Sequence, residues 1–203
     1  VIEGDICHPQ LGLSAEHYDQ LSAEVELIFH CAAFVNLRAR YEQMRPSIVE
    51  GTRHILHFAA TKRLKTLHHV STNSVLAGEE RSFSEESAEC FTGAPLIDGY
   101  SQAKWVAERL VEQATAQGLP TTVYRPGNIG PHRVTGYMNP NDLMSVLLRA
   151  CVSAQEAPAD TQWLLELTPV DVTAELMLSI AELNDPQPRY HLVHPHSVAL
   201  DAL

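Results

Sequence analysis

The chain has 203 residues, 45% apolar and 19% charged, with a formal net charge of −11, the composition of one soluble globular domain. Only 14 Lys and Arg are spread along it, which argues against nucleic acid or an anionic membrane surface as partner, because a phosphate backbone needs a basic face. No run approaches the roughly eighteen apolar residues of a membrane span, and the opening "VIEGDICHPQ" lacks the basic and then apolar pattern of a signal peptide.

Strand and helix signals alternate along the first part of the chain. Residues 25–33 (VELIFHCAA), 65–72 (KTLHHVST) and 121–127 (TTVYRPG) are short runs of β-branched and aliphatic residues that end where small or hydroxyl residues begin a loop. Between them, 47–63 places Ile48, Ile55, Leu56 and Ala59 on one side of a predicted helix, and 100–118 is a second helical stretch stopped by Gly118 and Pro120. Strands separated by helices of this length predict βαβ units and a doubly wound, mostly parallel α/β sheet. Residues 78–90 (GEERSFSEESAEC) read as a solvated acidic loop. Beyond Pro126 come a loop, a helix over 142–155, a short strand-like 163–170, a helix over 171–183 and a last strand-like run at 189–195. The expected division is therefore a core of residues 1–126, and 127–203 as the remaining core elements with part of a substrate-binding region.

Four segments can carry chemistry. Tyr100 and Lys104 lie at i and i+4 of a helix, so their side chains reach one shared site; a nearby ammonium would lower the phenol's pKa and let the pair exchange a proton with a carbonyl or hydroxyl. The same spacing also fits an ordinary amphipathic helix. Ser71, Thr72 and Ser74 crowd the carboxyl end of a predicted strand, the edge at which open α/β sheets bind ligands, although strand-end turn chemistry explains them equally. Ala32 and Ala33 allow close approach to the backbone or simply pack, and Pro126, Gly127 and Asn128 mark a turn whose carboxamide can meet exposed backbone groups. The eleven histidines include no HExxH or paired Cys/His spacing, so no metal site is expected, and no GxSxG supports a serine hydrolase. Cys7, Cys31, Cys90 and Cys151 form no CxxC, the pattern of reduced thiols in a cytoplasmic protein.

Taken in order, "VIEGDI", "IFHCAAFVN", "VEGTRHIL", "LHHVSTNSV", "GYSQAKWVAE", "YRPGNIG" and "TPVDVTAEL" resemble the extended short-chain dehydrogenase/reductases. They look most like the thioester reductase domains that terminate nonribosomal peptide and polyketide synthetases and carboxylic acid reductases. The resemblance implies a Rossmann-like fold in which residues 1–126 are a partial NAD(P)-binding core, with NADPH as hydride donor. It assigns catalysis to Thr72, Tyr100 and Lys104. For the cofactor it assigns Asp5 and Ile6 to the adenine, Ala32 and Ala33 to the adenosine half, and Ser71, Tyr100 and Lys104 to the ribose region. Pro126, Gly127, Asn128 and Ile129 would lie at the nicotinamide. The implied partner is an acyl or peptidyl thioester on a phosphopantetheinylated carrier domain, released as an aldehyde or, after a second reduction, an alcohol. Fatty acyl-CoA reductases and nucleotide-sugar epimerases or dehydratases share the Thr, Tyr and Lys set and stand as alternatives, as does a non-catalytic dinucleotide-binding module.

Two departures from the family pattern stand out. Ile48 occupies the first position of the family's "NVxGT", where the Asn amide cannot be replaced by an apolar side chain. No GxxGxxG is present and the chain opens on Val; the resemblance places "VIEGDI" at the end of the third strand, so roughly 60 to 80 residues with the glycine-rich turn are expected upstream, part of the substrate lid is expected downstream, and residues 1–203 alone are expected to be inactive. Tyr137, Met138 and Met144 are candidates for an acyl pocket or for core packing.

Overall fold

The computed structural model describes residues 1–76, 96, 98–156 and 164–199; the acidic segment 78–90 lies outside them. The strands are β1 (Leu27–His30), β2 (Thr66–Val70), β3 (Thr121–Pro126), β4 (Ile129–Gly130), β5 (Leu164–Leu165), β6 (Thr168–Pro169), β7 (Arg189–Leu192) and β8 (Val198–Ala199). The helices are α1 (Ala15–Glu24), α2 (Tyr41–Arg45), α3 (Gly51–Ala60), α4 (Gly99–Ala116), α5 (Leu143–Ala154) and α6 (Val170–Ala181). The main sheet runs in the order β1-β2-β3-β7, with β1, β2 and β3 parallel and His30 in register with His69. The chain divides into two compact units, Val1–Tyr124 with Gln187–Tyr190, and Arg125–Pro186 with His191–Leu203.

In the first unit the β-branched and aliphatic residues of β2 and β3 are buried, Leu67 and Val123 among them, each contributing on the order of 1.5–3 kcal/mol. The two buried histidines of β2 are accommodated differently. His68 exchanges a 2.7 Å hydrogen bond with the Tyr124 hydroxyl, while the ring of His69 lies 5.3 Å from that of His30. Against α4 packs an apolar cluster of Met44, Ile48 and Val49 with Ala103 and Ala107. The two alanines on successive turns leave room for this close approach. Ile48 fills an apolar slot there, which is why an apolar residue stands at that position.

Several sequence expectations are refined. The predicted helix over 47–63 opens instead as a π-helical turn, Pro46–Glu50, before α3 takes over. Residues 1–6 form no strand. The helix α1 and the short α2 were not signalled by periodicity. Gly51 lets α3 approach the Ile6 side chain, where an added Cβ would fall 2.8 Å from its Cδ1.

In the second unit β4 pairs in parallel with β6 and β5 antiparallel with β8. The helix α5 is capped by Asp142, whose carboxylate accepts the Met144 N–H at 2.9 Å. Met144 is buried, Met138 half-buried and Tyr137 exposed, so Met144 belongs to the packing of this unit.

Candidate active site

The first unit brings four of the expected residues, Ser71, Thr72, Tyr100 and Lys104, to the carboxyl end of β2 and the helix packed beside it. Ser71 continues the ladder, donating its N–H to the Tyr124 carbonyl at 2.7 Å; its side chain is buried and its Oγ has no hydrogen-bond partner among the described residues. Thr72 then leaves the strand and caps a short 3-10 turn, Asn73–Val75. Its Oγ1 accepts the Ser74 N–H at 3.2 Å and exchanges a 3.0 Å hydrogen bond with Ser74 Oγ, so its proton is available to an acceptor beyond the strand end when Ser74 is the donor of that pair.

The helix α4 packs against that turn and supplies the other two groups. It begins at Asp98, whose carboxylate accepts the Ser101 N–H at 2.8 Å and the Ser101 hydroxyl at 2.9 Å. Such a cap contributes about 1 kcal/mol and fixes the first turn, on which Tyr100 sits. One turn on, Lys104 is only 4% exposed, and its ammonium donates to the Val70 carbonyl at 2.8 Å, immediately before Ser71.

The electrostatics differ from the sequence expectation. Lys104 is pulled down to about 8, chiefly by burial, against the opposing pull of Glu108 and then Cys31. The Tyr100 phenol is pushed up to about 12, by burial first and by Asp98 second. The predicted lowering of Tyr100 by Lys104 is therefore not what this arrangement produces. Desolvation disfavours the phenolate, the nearby fixed charge is a carboxylate, and the ammonium is engaged by a backbone carbonyl. Tyr100 is thus a firmly protonated donor. Burial holds His30 down to about 4 and His69 lower than its ordinary range, with Lys104 adding to both, so these rings stay neutral beside the lysine.

The remaining assigned residues are less concentrated. Asp5 is turned back on its own loop, accepting the Cys7 N–H at 2.8 Å, and the Ile6 carbonyl meets His54 Nδ1 at 2.8 Å on α3. Ala33 packs against the apolar cluster, whereas Ala32 is exposed. In the second unit, the turn after Pro126 is anchored by a residue that sequence reasoning did not single out. Glu166 accepts the Asn128 N–H at 2.9 Å, the His194 N–H at 2.8 Å and the Thr168 hydroxyl at 2.7 Å. A lone carboxylate inside the apolar "WLLELTPV" was the available signal, since such a group needs partners when it is enclosed. Asn128 thus contributes its backbone to the turn, and Ile129 opens β4.

A parallel α/β sheet with serine, threonine, tyrosine and lysine gathered at one strand end defines a class. The chain belongs to the NAD-binding family described as Male sterility protein, whose model matches residues 1–177. Within it, the chain is 35% identical over 98% of its length to a linear gramicidin synthase polypeptide of Brevibacillus parabrevis, of which it spans 4%. Among solved structures it resembles the terminal R domain from the myxalamid PKS-NRPS biosynthetic pathway, at 40% identity and a TM-score of 0.88, covering 98% of this chain and 51% of that one. It also resembles the reductase domain of a nonribosomal peptide synthetase from Mycobacterium tuberculosis, at 26% identity and a TM-score of 0.78, covering 95% and 50%. The chain therefore spans about half of these solved domains and a small fraction of the synthetase. The expected likeness to terminal reductase domains, the Rossmann-like fold class and a nicotinamide cofactor are borne out at this level. Among the described residues no helix is long and apolar enough to cross a membrane.

Proposed function

We propose that this chain is part of an NADPH-dependent reductase that releases an acyl or peptidyl thioester from a phosphopantetheinylated carrier as an aldehyde, acting in the cytoplasm. The observation that carries the reading is the buried Lys104 ammonium bonded to Val70, at the strand end that presents Ser71 and Thr72, with Tyr100 one helical turn away. The buried Ser71 Oγ, unpartnered among the described residues, and the two further N–H donors of Lys104 suit a ribose hydroxyl. Asp5, Ile6, Ala32, Ala33, Pro126, Gly127, Asn128 and Ile129 are proposed as further cofactor contacts on the family resemblance alone. When bound, the reduced nicotinamide supplies the hydride.

The residues of this chain then act on the thioester carbonyl. Thr72 and Tyr100 donate hydrogen bonds to its oxygen, so that the charge developing there is stabilised by donors already in place. Tyr100, protonated at neutral pH, passes its proton to that oxygen, and Lys104 acts by holding the ribose hydroxyls beside it. The resulting hemithioacetal collapses to aldehyde and carrier thiol. The test is oxidation of NADPH by the full-length protein in the presence of a carrier-bound acyl thioester, with aldehyde or alcohol identified among the products. Binding of NADPH without thioester-dependent oxidation would overturn the proposal.

A further inference from the structure

The loop after β1 holds an unassigned cavity of about 340 Å³, bordered by residues 37–42 and the amino end of α4 at Asp98, Gly99 and Gln102. Its frame is rigidly built. The Arg38 N–H donates to Asn36 Oδ1 and the Arg40 N–H to Gln43 Oε1, both at 3.0 Å. Gly99 admits the loop against the helix, because an added Cβ would fall within 2.6 Å of the Ala39 carbonyl oxygen.

While the backbone is held, the two guanidinium groups have no partner among the described residues. Among the described residues, Arg45 and Arg53 bind Glu50, Arg63 binds Glu26, Arg109 and Arg189 share Glu112, and Arg133 bridges Asp171 and Glu175. Arg38 and Arg40 make no side-chain ion pair or hydrogen bond there. That is unexpected in a chain with 25 carboxylates for 14 Lys and Arg. Two carboxylates share the rim, Asp98, whose oxygens each accept one bond from Ser101, and Glu42; among the described residues neither forms an ion pair with Arg38 or Arg40. The same loop exposes Phe34, Val35 and Leu37, at 58%, 62% and 46%. Tyr41, on the cavity wall, packs against the same apolar cluster as Tyr100.

We propose that this cavity receives the phosphodiester of a phosphopantetheine arm, with Arg38 and Arg40 as its donors and Phe34, Val35 and Leu37 against the arm's dimethyl segment. Guanidinium forks match phosphate oxygens in geometry and charge, and an apolar loop beside them matches a ligand that is anionic at one end and aliphatic next to it. Gly99 on the cavity wall directly precedes Tyr100 at the start of α4, so the cavity lies at the end of the helix that carries the phenol. This rests on the thioester reductase reading and adds the site that recognises the carrier's prosthetic group.

The test uses the full-length protein and its Arg38→Ala, Arg40→Ala and doubly substituted forms. Each is assayed with the carrier-bound acyl thioester and with the same acyl group on pantetheine, which lacks the phosphate. KM for the carrier substrate should rise roughly ten-fold per arginine, the loss of about one charge-assisted hydrogen bond at an exposed site, with kcat and the KM for NADPH unchanged. The pantetheine substrate should be indifferent to the substitutions. Equal losses on both thioesters, a raised KM for NADPH, or no change would each overturn the proposal. If the unsubstituted protein reduces neither thioester, the reductase reading fails separately. Equilibrium binding of phosphopantetheine against pantetheine then decides the site: a preference for the phosphorylated form that the double substitution abolishes sustains it, and equal binding overturns it.

Discussion

Lys104→Met tests whether a buried cation is kept for chemistry at the expense of stability. The lysine falls from its ordinary 10.5 to about 8 because burial disfavours the ammonium, and that difference corresponds to about 3 kcal/mol of cost to the folded state when the group is charged. Between pH 8 and 10.5 the unfolded chain binds the proton and the folded chain does not, so stability rises with pH across that window and the full cost applies below it. Methionine removes the titration but leaves the Val70 carbonyl without its 2.8 Å donor, a loss of about 1–3 kcal/mol. Near pH 7 the two changes largely offset each other. The measurement is the difference in urea-unfolding free energy between wild type and variant at several pH values from 7 to 10.5, a comparison in which the other titrating groups cancel. Wild type should gain about 3 kcal/mol on the variant as pH rises through the window, and the variant should be inactive throughout. A difference that stays flat with pH would refute the reasoning, because the ammonium would then be no more costly in the fold than in water.

Tyr100→Phe removes the proton donor and should lower thioester reduction by ~10²–10⁴-fold while leaving NADPH affinity largely intact, as read by single-turnover kinetics and fluorescence titration. Asp98→Ala should destabilise the chain by about 1 kcal/mol through loss of the cap; because Asp98 raises the phenol's pKa, a spectroscopic titration should also show Tyr100 ionising at lower pH than in wild type. Ile48→Asn restores the family residue but places an amide in the apolar cluster of Met44, Val49, Ala103 and Ala107. The expected outcome is a loss of about 2–4 kcal/mol in denaturant unfolding; an unchanged midpoint would show that the slot is not apolar in solution.

What was legible in the sequence was whatever local chemistry specifies. The run from Tyr100 to Gly118 announces a helix by periodicity and a stop, and the structure supplies α4 within a residue or two. Strand ends at Ser71 and Thr72 were readable because hydroxyl residues replace β-branched ones there. What was not legible depends on distant partners. Spacing alone placed an ammonium next to a phenol and predicted that it would lower the phenol's pKa; the fold sends Lys104 to a carbonyl 34 residues earlier and buries Tyr100 beside Asp98, reversing the direction. Glu166 was overlooked for the same reason, since two of its partners, Asn128 and His194, lie 38 and 28 residues away. The π-helical turn at Pro46–Glu50 interrupts a pattern that still looks helical by periodicity.

The first unit is discontinuous, and this has a consequence for its synthesis. Its last four residues, Gln187–Tyr190, follow the whole stretch Arg125–Pro186, which takes on the order of several seconds to emerge at ~5–20 residues per second. Until then β3 lacks its neighbour β7 and is an open edge, Tyr124 lacks the ring of Tyr190 that stacks on it at 6.2 Å, and Glu112 lacks Arg189, its partner at 2.7 Å. An unpaired edge strand is a template for mispairing. During translation this chain therefore passes through an interval in which its nascent sheet is most vulnerable to association with a neighbouring copy, and the interval closes with the arrival of residues 187–190.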